Sequence, residues 1–193
     1  MLFFERMLHA HQLTCELRTV IHPEFVLWAT STTACQASRK SYQTLETYGD
    51  TVLKVAGTML AYNYLTRFEK NVDECKIDSL KNSFINNMYF FRIGKQLKLH
   101  HHIRQLDPDL KTWSPPFSEQ VSAVESLSCT GKHIADVVES LIGAHFMTNN
   151  LHRSLQLISA MRIMPLQEGK VLDYFPDGDL TFELGADLDQ YGF

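Results

Sequence analysis

Apolar residues recur at helical spacing through most of this 193-residue chain, and Pro and Gly breakers are rare before residue 108. Positions three and four apart share one side of an α-helix, so this pattern predicts helices that each bury one face. It occurs over residues 45–60, 80–91, 134–142 and 155–161. Alternating strand patterns are scarce outside the C-terminal segment, so the predicted fold class is all-α.

The predicted organisation has three parts. Residues 1–25 form an N-terminal helical arm, residues 26–165 form the main domain, and residues 166–193 form an acidic tail or linker. A stretch from Asp107 to about Cys129 contains three prolines and is predicted to be a loop inserted in the main domain.

The net charge of −4 is unevenly distributed along the chain. Residues 166–193 carry seven acidic residues and one lysine, a charge of −6, whereas the preceding 165 residues carry 17 basic and 15 acidic residues, a charge of +2. A mildly basic body without a dense Lys/Arg stripe binds a phosphate backbone weakly by itself. If the ligand is RNA, we expect the chain to be a fragment or to work with a partner.

Cysteine usage and hydropathy indicate an intracellular protein that does not span a membrane. The four cysteines are scattered and form no CxxC pair, which argues against a disulfide framework or a structural zinc site and favours the cytoplasm or the nucleus. No apolar run approaches the roughly 18 residues of a membrane span. The first residues carry charge and His too early for a signal-peptide core.

The segment YQTLETYGDTVLKVAG places Glu46 and Asp50 four residues apart, on one face of a predicted helix. Gly49 removes a side chain beside Asp50 and would let another backbone or a ligand approach closely. The apolar positions of this helix are predicted to face the core; they are Leu45, Tyr48, Val52, Val55, Ala56, Met59 and Leu60.

The segment GKHIADVVESLIGA contains a second acidic pair, Asp136 and Glu139, three residues apart. Lys132 lies four residues before Asp136, so its ammonium group would offset the repulsion between the carboxylates. One acidic pair is usually a solvated helix face, but two pairs in one all-α chain favour a metal site. Carboxylate oxygens suit Mg²⁺, which activates water for attack on a phosphodiester.

These two segments resemble the two signature motifs of the ribonuclease III family, LExxGDxxL and KxxADxxEALIGA. The resemblance implies that Glu46, Asp50, Asp136 and Glu139 are catalytic carboxylates that bind Mg²⁺, with Mn²⁺ able to substitute, and that Lys132 is the active-site lysine.

Three further segments bear on the resemblance. DSLKNSFINNMYFFRIG is similar to a helix of the family with an Asn near its middle, here Asn87. Glu74 stands where bacterial members carry an additional acidic residue, a further candidate metal ligand, although a surface Glu at a helix start explains it equally well. HHIRQLDPDLKTWSPPF resembles the loop in the first of Dicer's two ribonuclease III domains.

The resemblance implies a metal-dependent endoribonuclease that processes double-stranded RNA in RNA silencing and leaves 5′-phosphate and 3′-hydroxyl ends. The family fold is a dimer, formed with another copy or with a second ribonuclease III domain through the apolar side of the signature helix. Thr47 replaces a large apolar residue of bacterial members, so the contact is expected to differ in detail. Two alternatives stay open: a non-catalytic RNA-binding or assembly scaffold, and cleavage of single-stranded RNA.

His145 is predicted to be a packed core histidine.

Overall fold

The computed structural model describes residues 2–33, 41–68, 71–104 and 130–164, which form seven α-helices and one 3-10 helix. The elements are α1 (Leu2–Glu16), α2 (Pro23–Ala29), α3 (Tyr42–Phe68), α4 (Glu74–Phe84), α5 (Asn87–Gln96), η1 (Leu99–His101), α6 (Gly131–Thr148) and α7 (Leu151–Ala160). These ranges contain no strand, only an isolated bridge between Ser31 and Arg104, so the all-α prediction is confirmed. The predicted loop at 107–129 and the tail at 166–193 lie outside the described residues.

Helix α6 is the centre of the fold and packs against α2, α3, α5 and α7. Its apolar pattern is confirmed, as is that of α7, because the predicted positions are buried: Ile134, Val137, Val138, Leu141, Ile142, Leu155, Leu157, Ile158 and Met161. Thr130 caps α6 by accepting a hydrogen bond from the His133 amide at 3.4 Å. In α1, Ala10 and Leu13 belong to the same core. Within the described ranges, no helix combines the length and apolarity needed to cross a membrane.

Helix α3 is apolar on two sides, and only one of them is buried. Leu45, Val52, Ala56 and Leu60 lie in the core, as predicted. The prediction was wrong for three further positions, since Tyr48, Val55 and Met59 are exposed. With Tyr62 they form an exposed apolar stripe along one side of the helix; the stripe consists of Tyr48, Val55, Met59 and Tyr62.

The prediction of one continuous helix through residues 80–91 was also wrong. Helix α4 ends at Phe84 and α5 begins at Asn87. Asn86 between them has an extended backbone and caps α5 by accepting a hydrogen bond from the Tyr89 amide at 2.8 Å. Asn87 is therefore the first residue of a helix rather than the middle of one.

Candidate active site

Helices α3 and α6 touch backbone to backbone where they cross. A Cβ atom on Gly49 would lie 1.8 Å from the carbonyl oxygen of Glu139, and one on Gly143 would lie 2.0 Å from the carbonyl oxygen of Leu45. Neither position can hold a larger residue without moving a helix. The close approach expected at Gly49 is confirmed, and it brings the acidic turns of the two helices together.

Three predicted carboxylates meet beside this crossing. Glu46 of α3 and Asp136 and Glu139 of α6 each offer an oxygen atom, and these atoms lie within 4.8 Å of one another. Asp136 is buried, with 5% of its surface exposed, and the other two are half-buried. The acidic face of α6 thus lies beside α3 and is partly buried there.

Asp50 lies at the same site but outside this group of three. Its Oδ2 atom accepts a hydrogen bond from Lys54 Nζ at 2.7 Å, one helical turn further along α3. Lys54 is exposed, so the ion pair lies at the rim of the site. The sequence predicts four equivalent carboxylates, whereas the structure holds three together and pairs the fourth with a lysine.

An open pocket of about 330 Å³ connects these groups. It is lined by Glu46, Thr47, Asp50, Asn87, Lys132, Asp136 and Glu139. All five residues predicted to be catalytic line one pocket, together with Asn87 of α5. The Lys132 and Asn87 side chains are exposed and face the same space as the carboxylates, so a bound anion would meet donors as well as acidic groups.

The carboxylates of the site destabilise one another's charged forms. Burial and then the charges of the other three carboxylates raise the pKa of Glu139 from 4.5 to about 7. Burial and the Asp136 charge also raise the pKa of Glu46, whereas Lys132 acts in the opposite direction. A cation among these oxygens would relieve the repulsion. The donor set, carboxylate oxygens from two helices, fits a small divalent ion such as Mg²⁺.

Sequence reasoning missed Tyr42, the first residue of α3. It is buried, and its hydroxyl donates a hydrogen bond to Asp136 Oδ2 at 3.3 Å. Tyr42 stands four residues before Glu46 and therefore on the same side of α3. That spacing was readable in the sequence, but the partner lies 94 positions away and only the fold reveals it.

Glu74 is placed apart from the candidate site. It is an exposed residue in the first turn of α4, which Asp73 caps through the Lys76 amide at 2.9 Å. Glu74 does not line the pocket. An acidic residue at the start of a helix is favoured by the helix dipole, which accounts for Glu74 without a metal.

The family model described as "Ribonuclease III domain" matches residues 43–150, more than half of the chain. Dicer-like protein 2 of Neurospora crassa is 28% identical over 132 residues, which cover 65% of this chain and 8% of that protein. Dicer-like protein 1 of Cryphonectria parasitica is 31% identical over 127 residues, covering 61% of this chain and 8% of that protein. The chain thus spans less than a tenth of the length of these relatives.

Solved structures with a similar fold include the nuclease domain of ribonuclease III from Campylobacter jejuni. One structure aligns with a TM-score of 0.61 at 16% identity and covers 88% of this chain and 97% of that domain. A second aligns with a TM-score of 0.59 at 16% identity, over 85% of this chain and 96% of that one, and concerns flexibility in a region involved in that protein's dimer formation. At this identity the likeness shows the fold.

Proposed function

Because the chain belongs to the ribonuclease III domain family, we propose that it is a metal-dependent endoribonuclease that hydrolyses phosphodiester bonds of double-stranded RNA. The observation that carries the proposal is the meeting of Glu46, Asp136 and Glu139 from two helices within 4.8 Å. Such a cluster costs stability when it is empty of cations, so a non-catalytic scaffold would gain nothing from it. The resemblance to Dicer points to RNA processing in silencing as the context.

Mg²⁺ is the proposed ion, with Mn²⁺ as a substitute, and Glu46, Asp136 and Glu139 are the residues that would hold it. Asp50 joins them from the pocket rim, where Lys54 balances its charge. When bound, the ion supplies activation of water and charge stabilisation at the phosphate. The reaction adds water oxygen to phosphorus and breaks the bond from phosphorus to the 3′ oxygen, leaving a 5′-phosphate and a 3′-hydroxyl.

Residues of the chain itself position the RNA. Lys132 is exposed on the pocket wall and carries the positive charge that a phosphate oxygen requires. The Asn87 amide can donate a hydrogen bond to a second oxygen from the opposite helix, α5. Both side chains would orient the scissile phosphate against the carboxylates, which would otherwise repel it.

Pairing of two such domains follows from the need to cut both strands of a duplex. We propose that the exposed apolar stripe of α3, which includes Val55 and Met59, forms the contact, either with a second copy or with another ribonuclease III domain. Thr47 is smaller than the large apolar residue that bacterial members carry at this position. We therefore expect the side chains of the two domains to interlock less deeply than in those relatives.

The experiment that tests the proposal compares a labelled RNA duplex with each of its single strands, in Mg²⁺ and in EDTA. We expect the duplex to be cleaved in Mg²⁺ and not in EDTA. An exonuclease that requires a 5′-phosphate should then degrade the products, which would show that they carry this group. Preferential cleavage of the single strands would support the single-strand alternative instead.

Glu139→Gln is the matched test of the site, because it keeps the size of the side chain and removes one charge. The control is Glu24→Gln in the exposed first turn of α2, which makes the same chemical change outside the pocket. We expect the first variant to lose cleavage and the second to keep it. RNA binding without cleavage in the wild-type protein, at every Mg²⁺ concentration, would show a scaffold.

A further inference from the structure

The hydroxyl group of Tyr42 lies against the most buried carboxylate of the site. Its oxygen is 3.3 Å from Asp136 Oδ2, and both residues are buried, with 7% and 5% of their surfaces exposed. Because little of the Asp136 surface is open to water, a protein hydroxyl matters more to this carboxylate than to an exposed one.

The backbone of Tyr42 is itself held in place. Its amide nitrogen donates a hydrogen bond to the carbonyl oxygen of Ser31 at 3.0 Å, which fixes the start of α3 against the segment that follows α2. One turn later the same side of α3 presents Glu46. The tyrosine therefore joins the helix that carries Glu46 to the carboxylate on α6 through a rigid ring.

A carboxylate has two oxygen atoms and rotates about the bond that joins it to the rest of the side chain. A donor on Oδ2 restricts that rotation and orients the whole group toward Glu46 and Glu139. Ligands that a hydrogen bond holds in place bind a metal ion more tightly, since less ordering is needed on binding.

We propose that Tyr42 is a positioning residue for Asp136: its hydroxyl orients the Asp136 carboxylate for binding a divalent ion. The role of the ion rests on the proposed function. The role of the hydroxyl rests on the hydrogen bond from Tyr42 to Asp136.

Tyr42→Phe tests this, because it keeps the buried ring and removes only the hydroxyl. We expect the Mg²⁺ concentration for half-maximal duplex cleavage to rise about 10-fold, with the KM for RNA unchanged. The control is Tyr64→Phe, which removes an exposed hydroxyl from the same helix. We expect it to behave like the wild-type protein.

A second readout does not depend on catalysis. Mg²⁺ should raise the melting temperature of the wild-type protein, and Tyr42→Phe should need about 10-fold more Mg²⁺ for the same rise. Asp136→Asn is the reference variant that loses the response. If neither the wild-type protein nor its variants cleave RNA, the proposed function fails. The Mg²⁺ dependence of the melting temperatures still tests the role of Tyr42. Equal Mg²⁺ dependence for Tyr42→Phe and the wild-type protein, with or without a lower melting temperature, would overturn the inference.

Discussion

Gly49 of α3 and Gly143 of α6 lie against each other, and a Cβ atom added to Gly143 would be 2.9 Å from the Gly49 backbone nitrogen. The two glycines set the distance between the helices that carry the acidic pairs. Glu46 and Asp50 flank one glycine along the chain, and Glu139 lies one turn before the other. The geometry of the carboxylate cluster and the packing of the two helices therefore depend on the same contact.

Gly143→Ala should destabilise the fold strongly. Its new methyl group would overlap the Leu45 carbonyl oxygen, a backbone atom that moves only with its helix. We expect the free energy of unfolding to fall by about 3 kcal/mol or more, measured by urea denaturation. In Gly131→Ala the methyl group would make ordinary contact with the Phe91 ring at 3.4 Å, so a change within about 0.5 kcal/mol is expected. If both variants lowered the free energy of unfolding equally, helices α3 and α6 could move apart at their crossing without a large loss of stability.

The acidic motifs and the helices that carry them were predictable from the sequence, because spacing alone places Asp136 and Glu139 on one side of α6. The pairing of Asp50 with Lys54 was not predicted, although both lie on α3, because i,i+4 lysines are common on solvated faces. The break between α4 and α5 depends on the extended backbone of Asn86, and the spacing of apolar residues does not predict this backbone conformation. Residues that contact across the chain, such as Tyr42, need the fold.

Glu139→Gln should stabilise the metal-free protein at alkaline pH. The pKa of Glu139 is raised from 4.5 to about 7 in the folded protein. The neutral form therefore stabilises the fold relative to the charged form; this stabilisation is complete below pH 4.5 and is lost as the pH rises through 7. Above that pH the charged Glu139 of the wild-type protein repels the neighbouring carboxylates, and the neutral glutamine of the variant does not. In EDTA at pH 8 we expect a gain of about 1–2 kcal/mol, since solvent screens a half-buried carboxylate. Glu24→Gln should show no such gain, and a loss of stability in Glu139→Gln would contradict the account.

The buried side chain of His145 should make stability depend on acid pH. Its ring hydrogen-bonds with Ser154 Oγ at 3.1 Å, and 4% of the residue is exposed, which confirms the predicted core histidine. Burial, with a smaller effect of Arg153, lowers the pKa of His145 from 6.5 to about 4. The unfolded chain takes up a proton below pH 6.5 that the folded protein does not, so the free energy of unfolding should fall between pH 6.5 and 4.

Chemical denaturation of His145→Gln across this pH range measures that contribution. The variant should show a shallower decline than the wild-type protein, and His152→Gln, on the neighbouring helix α7, should retain the full decline. Parallel pH curves for His145→Gln and the wild-type protein would rule out the assigned role of His145.

A charge on the exposed stripe should prevent pairing of the domains. Val55 lies in the middle of the stripe on α3, with 40% of its surface exposed. Val55→Asp would bury a carboxylate against an apolar partner surface. Sedimentation should therefore show a dimer for the wild-type chain and a monomer for this variant. Tyr64→Glu places the same type of charge on another side of α3 and should leave the dimer intact. Dissociation by both variants, or by neither, would argue against this surface.

The central claim is that residues of α3 and α6 form one catalytic site, and a double-mutant comparison of duplex cleavage tests it most directly. Single-turnover rates in Mg²⁺ would be measured for Glu46→Gln on α3, Asp136→Asn on α6, and the two combined. Because both carboxylates serve one site, we predict that each change lowers the rate about 10³-fold or more and that the double variant is no worse than either single one. Near-normal cleavage by either single variant, or losses that multiply in the double variant, would contradict the account.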